Sequence, residues 1–125
     1  MPDHSRLRGR GDIGEDAVAQ FLIDHRCEIT ARNFISYGGG EIDIIACNRE
    51  YLVFVEVKLR RSGNFAQARE YVDYRKQNRL RTTASIYLSE FPTKLQPRFD
   101  VIEIYAPDGA DTKKPIINHL EDAFQ

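Results

Sequence analysis

Residues Gly40–Lys58 read GEIDIIACNREYLVFVEVK, two apolar stretches joined by the polar run Asn48-Arg49-Glu50. Side chains of a strand alternate between the two faces of a sheet, so Val53, Val55 and Val57 share one face and Phe54, Glu56 and Lys58 the other. In the first stretch Ile42 and Ile44 alternate with Glu41, Asp43 and Ile45. Each strand thus carries an acid among core residues. A turn centred on Arg49 and Glu50, of two residues or of four (Asn48–Tyr51), makes paired residue numbers total 99 and sets Asp43 opposite Glu56. An even total would place the two acids on opposite faces. Opposed Cβ atoms lie about 5 Å apart, where like charges destabilise a sheet. A divalent cation relieves that conflict: Mg²⁺ takes one or two carboxylates and completes its shell with water and phosphate oxygens.

Upstream, Tyr37-Gly38-Gly39-Gly40 breaks the chain before the acidic strand, glycine permitting positive φ and close backbone approach. It is no phosphate-binding loop, since neither a helix start nor Lys-Ser/Thr follows. Cys27–Ser36 mixes apolar and polar residues in alternation and reads as an edge or first strand. From Asp12 to about His25, Ile13, Ala17, Phe21 and Leu22 recur at helical spacing. Glu15 lies three residues after Asp12. It reads either as the return partner of a capping box or as a third acid directed at the hairpin.

Downstream, Leu59–Ala68 is rich in Arg, Ser, Gly and Asn and reads as a loop beside the hairpin. A second helix is expected over Ala68–Phe91, with Val72, Leu80, Ala84, Tyr87, Leu88 and Phe91 as its apolar stripe. Lys76 falls on that stripe, where a lysine either snorkels to the rim or meets an anion. With Gln77 it is placed to reach a phosphate, while Arg75 and Arg79 face solvent or substrate backbone. Pro92 and Pro97 close the helix, and Arg98–Tyr105 reads as a strand with Asp100 and Ile102 on one face. A short edge strand over Ile116–Leu120 precedes a C-terminal tail. Helix, three strands, helix and one or two strands make an α/β sandwich on a mixed central sheet.

With 125 residues, 42% hydrophobic and 30% charged, the chain suits one soluble domain with a real core, residues 1–10 forming a flexible N-terminus. The net charge of −1 excludes a uniformly basic coat, yet Lys58–Arg81 holds eight basic residues against two acids. Such a band beside paired carboxylates suits a phosphodiester. No apolar run is long enough for a membrane span and no signal-type segment follows the N-terminal arginines, so a cytoplasmic location is expected. Cys27 and Cys47 lack CxxC spacing and read as two partly buried thiols, and the three histidines are too scattered for a metal site.

Taken together, Glu15, Gly-Glu-Ile-Asp (Gly40–Asp43), Phe-Val-Glu-Val-Lys (Phe54–Lys58), Lys76-Gln77 and Arg-Phe-Asp-Val (Arg98–Val101) resemble the YraN-like family of small predicted bacterial endonucleases. That family is similar to archaeal Holliday-junction resolvases within the restriction-endonuclease-like fold. The likeness spans Gly14–Tyr105 and implies a mixed central β-sheet flanked by helices. It implies a Mg²⁺- or Mn²⁺-dependent endonuclease acting on DNA, branched or junction DNA among its substrates, in repair or recombination, and a two-fold homodimer. By the same resemblance Asp43 and Glu56 are metal ligands, the Val57 carbonyl completes the inner shell, and Glu15 takes the helix acid. Lys58 stands by the attacking water, Gln77 with Lys76 supports the second helix position, and Arg60, Arg61, Arg75, Lys76 and Arg79 form the DNA contact set.

Two other readings compete. A non-catalytic module on the same fold would bind nucleic acid or a protein without turnover. A purely structural reading treats Asp43, Glu56 and Lys58 as an exposed charge network, which the neighbouring Phe54 and Ile45 argue against.

Overall fold

The apolar run Leu52–Val55 is buried on both sides, as a strand at the centre of a sheet requires. In the computed structural model, which describes residues 10–60, 72–108 and 113–125, with side chains from residue 14 onward in the first segment, this run lies in the middle strand. Strands β1 (Glu28–Ile35), β2 (Glu41–Cys47), β3 (Tyr51–Arg60), β4 (Gln96–Tyr105) and β5 (Ile116–Phe124) stand side by side in chain order. All neighbours are antiparallel except β3 and β4, which are parallel. A parallel pair needs a crossover, and helix α2 (Tyr74–Glu90) lies between them in sequence. Helix α1 (Arg10–Asp24) packs on one face through Val18, Ala19 and Leu22 against Ile44, Ala46, Val53, Val55 and Ile102. On the other face Leu80, Ala84 and Tyr87 of α2 pack on Ile42, Ile45, Leu52, Phe54 and Val101. The result is an α/β fold with a mixed central sheet flanked by helices, consistent with the restriction-endonuclease-like architecture.

Several boundaries differ from the sequence reading. Asp12 lies inside α1 rather than ahead of it, so it does not hold the N-cap position that a capping box with Glu15 needs. The buried stripe of α1 runs through Gly14, Val18 and Leu22, while Ala17 and Phe21 are only half-buried, because helix contact is set by where α1 crosses β3. Helix α2 begins at Tyr74: Asp73, in extended conformation, accepts a hydrogen bond from the Lys76 N–H (2.9 Å) and caps it. Val72 is buried in the core from outside the helix, and Phe91 is 53% exposed. Pro97 lies within β4 opposite Leu52 instead of ending the helix. Leu59 and Arg60 belong to β3, held by parallel pairing to Ile104 and Tyr105, and Arg61–Ala68 lies outside the described residues. The expected C-terminal tail is strand through Phe124, because β5 gains ladder partners on β4 as far as Phe99. No helix among the described residues is long and apolar enough to cross a membrane.

Candidate active site

The decisive hairpin has the expected register. Ile44 pairs with Val55, Ile45 with Phe54, Ala46 with Val53 and Cys47 with Leu52, each pair totalling 99. Asn48 fixes the turn: its Oδ1 accepts from the N–H groups of Glu50 and Tyr51, both at 2.8 Å. Regular pairing stops at Ile44, one residue short of Asp43. There the Val57 N–H donates to Asp43 Oδ2 at 2.8 Å, a carboxylate standing where a backbone acceptor of β2 would continue the ladder. The strands therefore part at the two acids.

Strand alternation breaks at the same level. Arg32 pairs with Asp16 of α1 (2.7 Å), whereas Phe34, two residues on, packs into the cluster beneath α2. Likewise Ile44 lies on the α1 side, while Ile42, expected beside it, lies on the α2 side. Between Arg32 and Phe34 sits Asn33 in the left-handed region, φ 53°, which turns β1 over.

Asp43 and Glu56 line one cavity of about 280 Å³, together with Gly40, Glu41, Lys76 and Arg79. Gly38 and Gly39 turn the chain into β2 at φ 94° and 91°. Gly40 serves differently: a Cβ there would collide with the Thr83 hydroxyl, so the glycine lets α2 approach β2. Burial, then the Glu56 charge and the more distant Glu41 charge, push the Asp43 carboxyl up to about 7 against the opposing pull of the Val57 N–H. Glu56, 8% exposed, is instead held by cations: Lys76 Nζ lies 2.5 Å and Lys58 Nζ 3.5 Å from its Oε1. Burial and the adjacent Lys76 ammonium lower Lys58, with Glu56 opposing. Burial also works against the charge on Lys76, but its bonds to Glu56 and Lys58 and the charges of Glu56 and Asp43 raise it.

Of the other expected residues, Glu15 is buried on α1 (8% exposed), and one terminal atom of the Asn33 carboxamide stands 3.0 Å from its Oε1 and 3.2 Å from Glu41 Oε1, an approach that makes hydrogen bonds only with the amide nitrogen turned to the acids. Gln77 does not join the acids. Its amide nitrogen donates to the Val72 carbonyl and its oxygen accepts from Arg81, both at 2.9 Å, bracing the start of α2. Arg79 reaches the cavity, Arg75 is exposed, and Arg60 lies 4.0 Å from buried Glu103. Arg61 falls outside the described residues. Asn33 and Glu41 were not singled out from sequence. Glu41 alternates with Asp43 and so had a signal, whereas an asparagine in a strand pattern has none.

The donor set fits a hard cation. Among the described residues no group of three or more His, Cys, Asp or Glu side chains is placed to hold a metal ion, but two carboxylates at a solvent-reached cavity suffice for Mg²⁺ when water and phosphate supply the rest. Cys27 and Cys47 are half-buried free thiols on the first hairpin, removed from this donor set.

Compared with known proteins, residues 14–104 match the family described as "Uncharacterised protein family UPF0102". The chain is 42% identical over 119 residues to a UPF0102 protein of Acetivibrio thermocellus, covering 94% of this chain and 92% of that one. It is 40% identical over 116 residues to one from Caldanaerobacter subterraneus, covering 91% and 93%, and 46% identical over 116 residues to one from Francisella tularensis subsp. novicida, covering 91% and 92%. With its motif blocks on the expected strands and helices and near-full-length relatives, the chain belongs to the UPF0102 family, the YraN-like group.

Proposed function

We propose that the protein is a metal-dependent endonuclease that hydrolyses DNA phosphodiester bonds, with branched DNA among its substrates. The observation that carries this reading is the opposed pair Asp43 and Glu56 at the point where β2 and β3 part, with Asp43 raised to about 7 by its crowded acidic surroundings. A raised, buried carboxylate beside a second one is a typical preparation for a cation or for chemistry. Mg²⁺ or Mn²⁺ would be held by Asp43 and Glu56 with the Val57 carbonyl, Glu15 being joined to the cavity wall through Asn33 and Glu41, and would supply an acidified water and compensate charge at phosphorus.

The chain's own residues perform the remaining tasks. The Val57 N–H fixes Oδ2 of Asp43, a residue that lines the cavity. Lys58 and Lys76 bracket Glu56, and both ammonium groups would be available to an anionic phosphate once Glu56 is engaged elsewhere. Lys58 orients the water and stabilises transition-state charge. Arg60, Arg75 and Arg79, with Arg61 next in sequence, grip the DNA backbone, and Gln77 keeps the start of α2, which carries Lys76, in place. A second copy supplies the other cut of a paired incision.

The test is incubation of the purified chain with linear, flapped and four-way DNA in Mg²⁺, Mn²⁺ or EDTA, beside an Asp43→Ala control. Metal-dependent cleavage that disappears in D43A is expected. Equal outcomes with and without metal on every substrate would sink the reading. The tight Lys76–Glu56 pair favours one alternative, a binding module whose acid is permanently neutralised by lysine. That module would bind DNA unchanged after D43A or E56A, and would lose affinity with salt and with removal of Arg60 or Arg75.

A further inference from the structure

We propose that Asn33 is a positioning residue of this site: its carboxamide ties Glu15 of α1 to Glu41 and so sets where the cavity-wall acid Glu41 stands beside Asp43. The inference deepens the nuclease reading and rests on it.

The backbone, the register and the side chain all bear on this residue. Its backbone is left-handed, φ 53°, a region that asparagine tolerates better than other residues with a side chain apart from aspartate. That single dihedral turns β1 over, sending Arg32 to Asp16 of α1 and Phe34 beneath α2. In the register of β1 with β2, whose pairs at this level total 76, the residue opposite Asn33 is Asp43 itself. Both strands thus lose alternation at one level, and the loss frees Asp43 from the ladder and directs the Asn33 amide toward α1.

The amide then meets two acids. One terminal atom of the carboxamide lies 3.0 Å from Glu15 Oε1 and 3.2 Å from Glu41 Oε1; hydrogen-bond chemistry assigns it as the nitrogen, since the opposite orientation aims a carbonyl oxygen at two carboxylates. A carboxamide has two N–H groups and no charge, so it places both acids without neutralising either. Glu56 is treated in the contrary way, by two ammonium groups. Glu41 lines the cavity that holds Asp43 and Glu56, so Asn33 links the buried helix acid to the cavity wall. A neutral donor that orients carboxylates in this manner acts on cation affinity through them, an effect typically of about 10- to 100-fold.

Asn33→Gly tests this, because glycine keeps the left-handed backbone and removes only the amide. Mn²⁺ binding to the DNA-free chain, followed by electron paramagnetic resonance, is compared for wild type, N33G, Glu15→Gln, the N33G/E15Q double variant and Asp43→Ala. N33G is expected to weaken binding about tenfold or more and E15Q to weaken it as well, with no loss in the double variant beyond that of N33G, since both break one Glu15–Asn33–Glu41 bridge. Wild-type affinity in N33G or in E15Q, or additive losses, would overturn the proposal. Failure of the nuclease reading is distinguishable: wild type and D43A would then bind Mn²⁺ alike, overturning both. Should N33G not fold, the wild-type Asn33 carboxamide ¹⁵N–¹H signals carry the test. They are expected to shift on E15Q substitution and on Mg²⁺ addition, and signals indifferent to both would overturn the proposal.

Discussion

Asp43 is held in a state it would not choose alone. In the unfolded chain its carboxyl titrates near 3.8, and in the folded chain near 7. Between those values the folded state binds more protons than the unfolded one, so the stability contributed by Asp43 falls as pH rises from about 4 through 7 and is fully lost above. Asp43→Asn retains an oxygen for the Val57 N–H and removes the charge. In metal-free buffer at pH 8 it is expected to stabilise the fold by on the order of 2 kcal/mol, with the gain vanishing near pH 4. Urea titrations at the two pH values measure this, and an equal shift at both would contradict the assignment. The stability gained comes with loss of the group that would hold the cation, the usual trade at a functional site. Lys76 occupies the other acid, so Lys76→Met is expected to tighten Mn²⁺ binding several-fold while slowing cleavage. Mn²⁺ titration and single-turnover rates on the same preparation check the opposed signs.

At the scale of elements, the cavity exists because α2 comes down close to β2. Ser36 and Thr83 meet there at 3.5 Å, and the Thr83 hydroxyl also donates to the Arg79 carbonyl at 2.8 Å. Gly40→Ala pushes a methyl group into that hydroxyl and forces the helix outward. Overpacking of this kind is expected to cost about 1–3 kcal/mol. Thr83→Ala combined with G40A should recover part of the loss, and equilibrium unfolding of the four proteins in that cycle measures the coupling. Simple additivity would mean that the contact does not set the spacing. The start of α2 depends on Asp73 alone for its cap among the described side-chain bonds. Asp73→Ala should cost about 1 kcal/mol and loosen Lys76, whose own N–H the cap holds. The parallel pair β3 and β4 puts the carboxyl end of β3, with Glu56 and Lys58, next to the crossover that leads to α2, the end of a parallel pair where ligands commonly bind.

Across the whole molecule, charge is divided between two stations. Toward one end of the sheet lie the acids with their lysines. Elsewhere, on the α1 face of β4, Asp100 is 1% exposed and fully engaged. Arg98 donates to both its oxygens at 2.9 Å, His119 Nε2 lies 2.7 Å away and the Asp122 N–H 3.0 Å away. Burial would raise its carboxyl, but the bonds from His119, Arg98 and the Asp122 N–H prevail and lower it. That network closes β5 onto β4, and it contributes stability above the ordinary carboxylate range that is lost as pH falls through the depressed value. Asp100→Ala leaves the half-buried Arg98 guanidinium without its carboxylate and is expected to destabilise by about 3 kcal/mol without altering which metal the site prefers. Melting curves beside Mn²⁺ titration would show the separation. An Asp100→Ala chain that stays folded yet loses metal selectivity would join the two stations after all.

The sequence by itself determined the hairpin, its register and the two acids that face each other. Local turn chemistry at Asn48 and strict alternation in β3 are short-range properties, and the family motifs lie on the same stretch. Helix existence was legible for the same reason, while helix limits were not: Asp12 fell inside α1 and Val72 and Asp73 ahead of α2, because packing and a cap chosen from several candidates decide where a helix stops. Only the tertiary structure decided that Gln77 braces the helix instead of meeting the acids. It alone showed that Lys76 sits on Glu56, that Asp100 is a junction of β4 and β5, and that Asn33 turns β1 over. These facts depend on side chains far apart in sequence converging on one atom. A pattern of alternation can say which face a residue takes, but the one residue that breaks the alternation is visible only once the strands are laid beside each other.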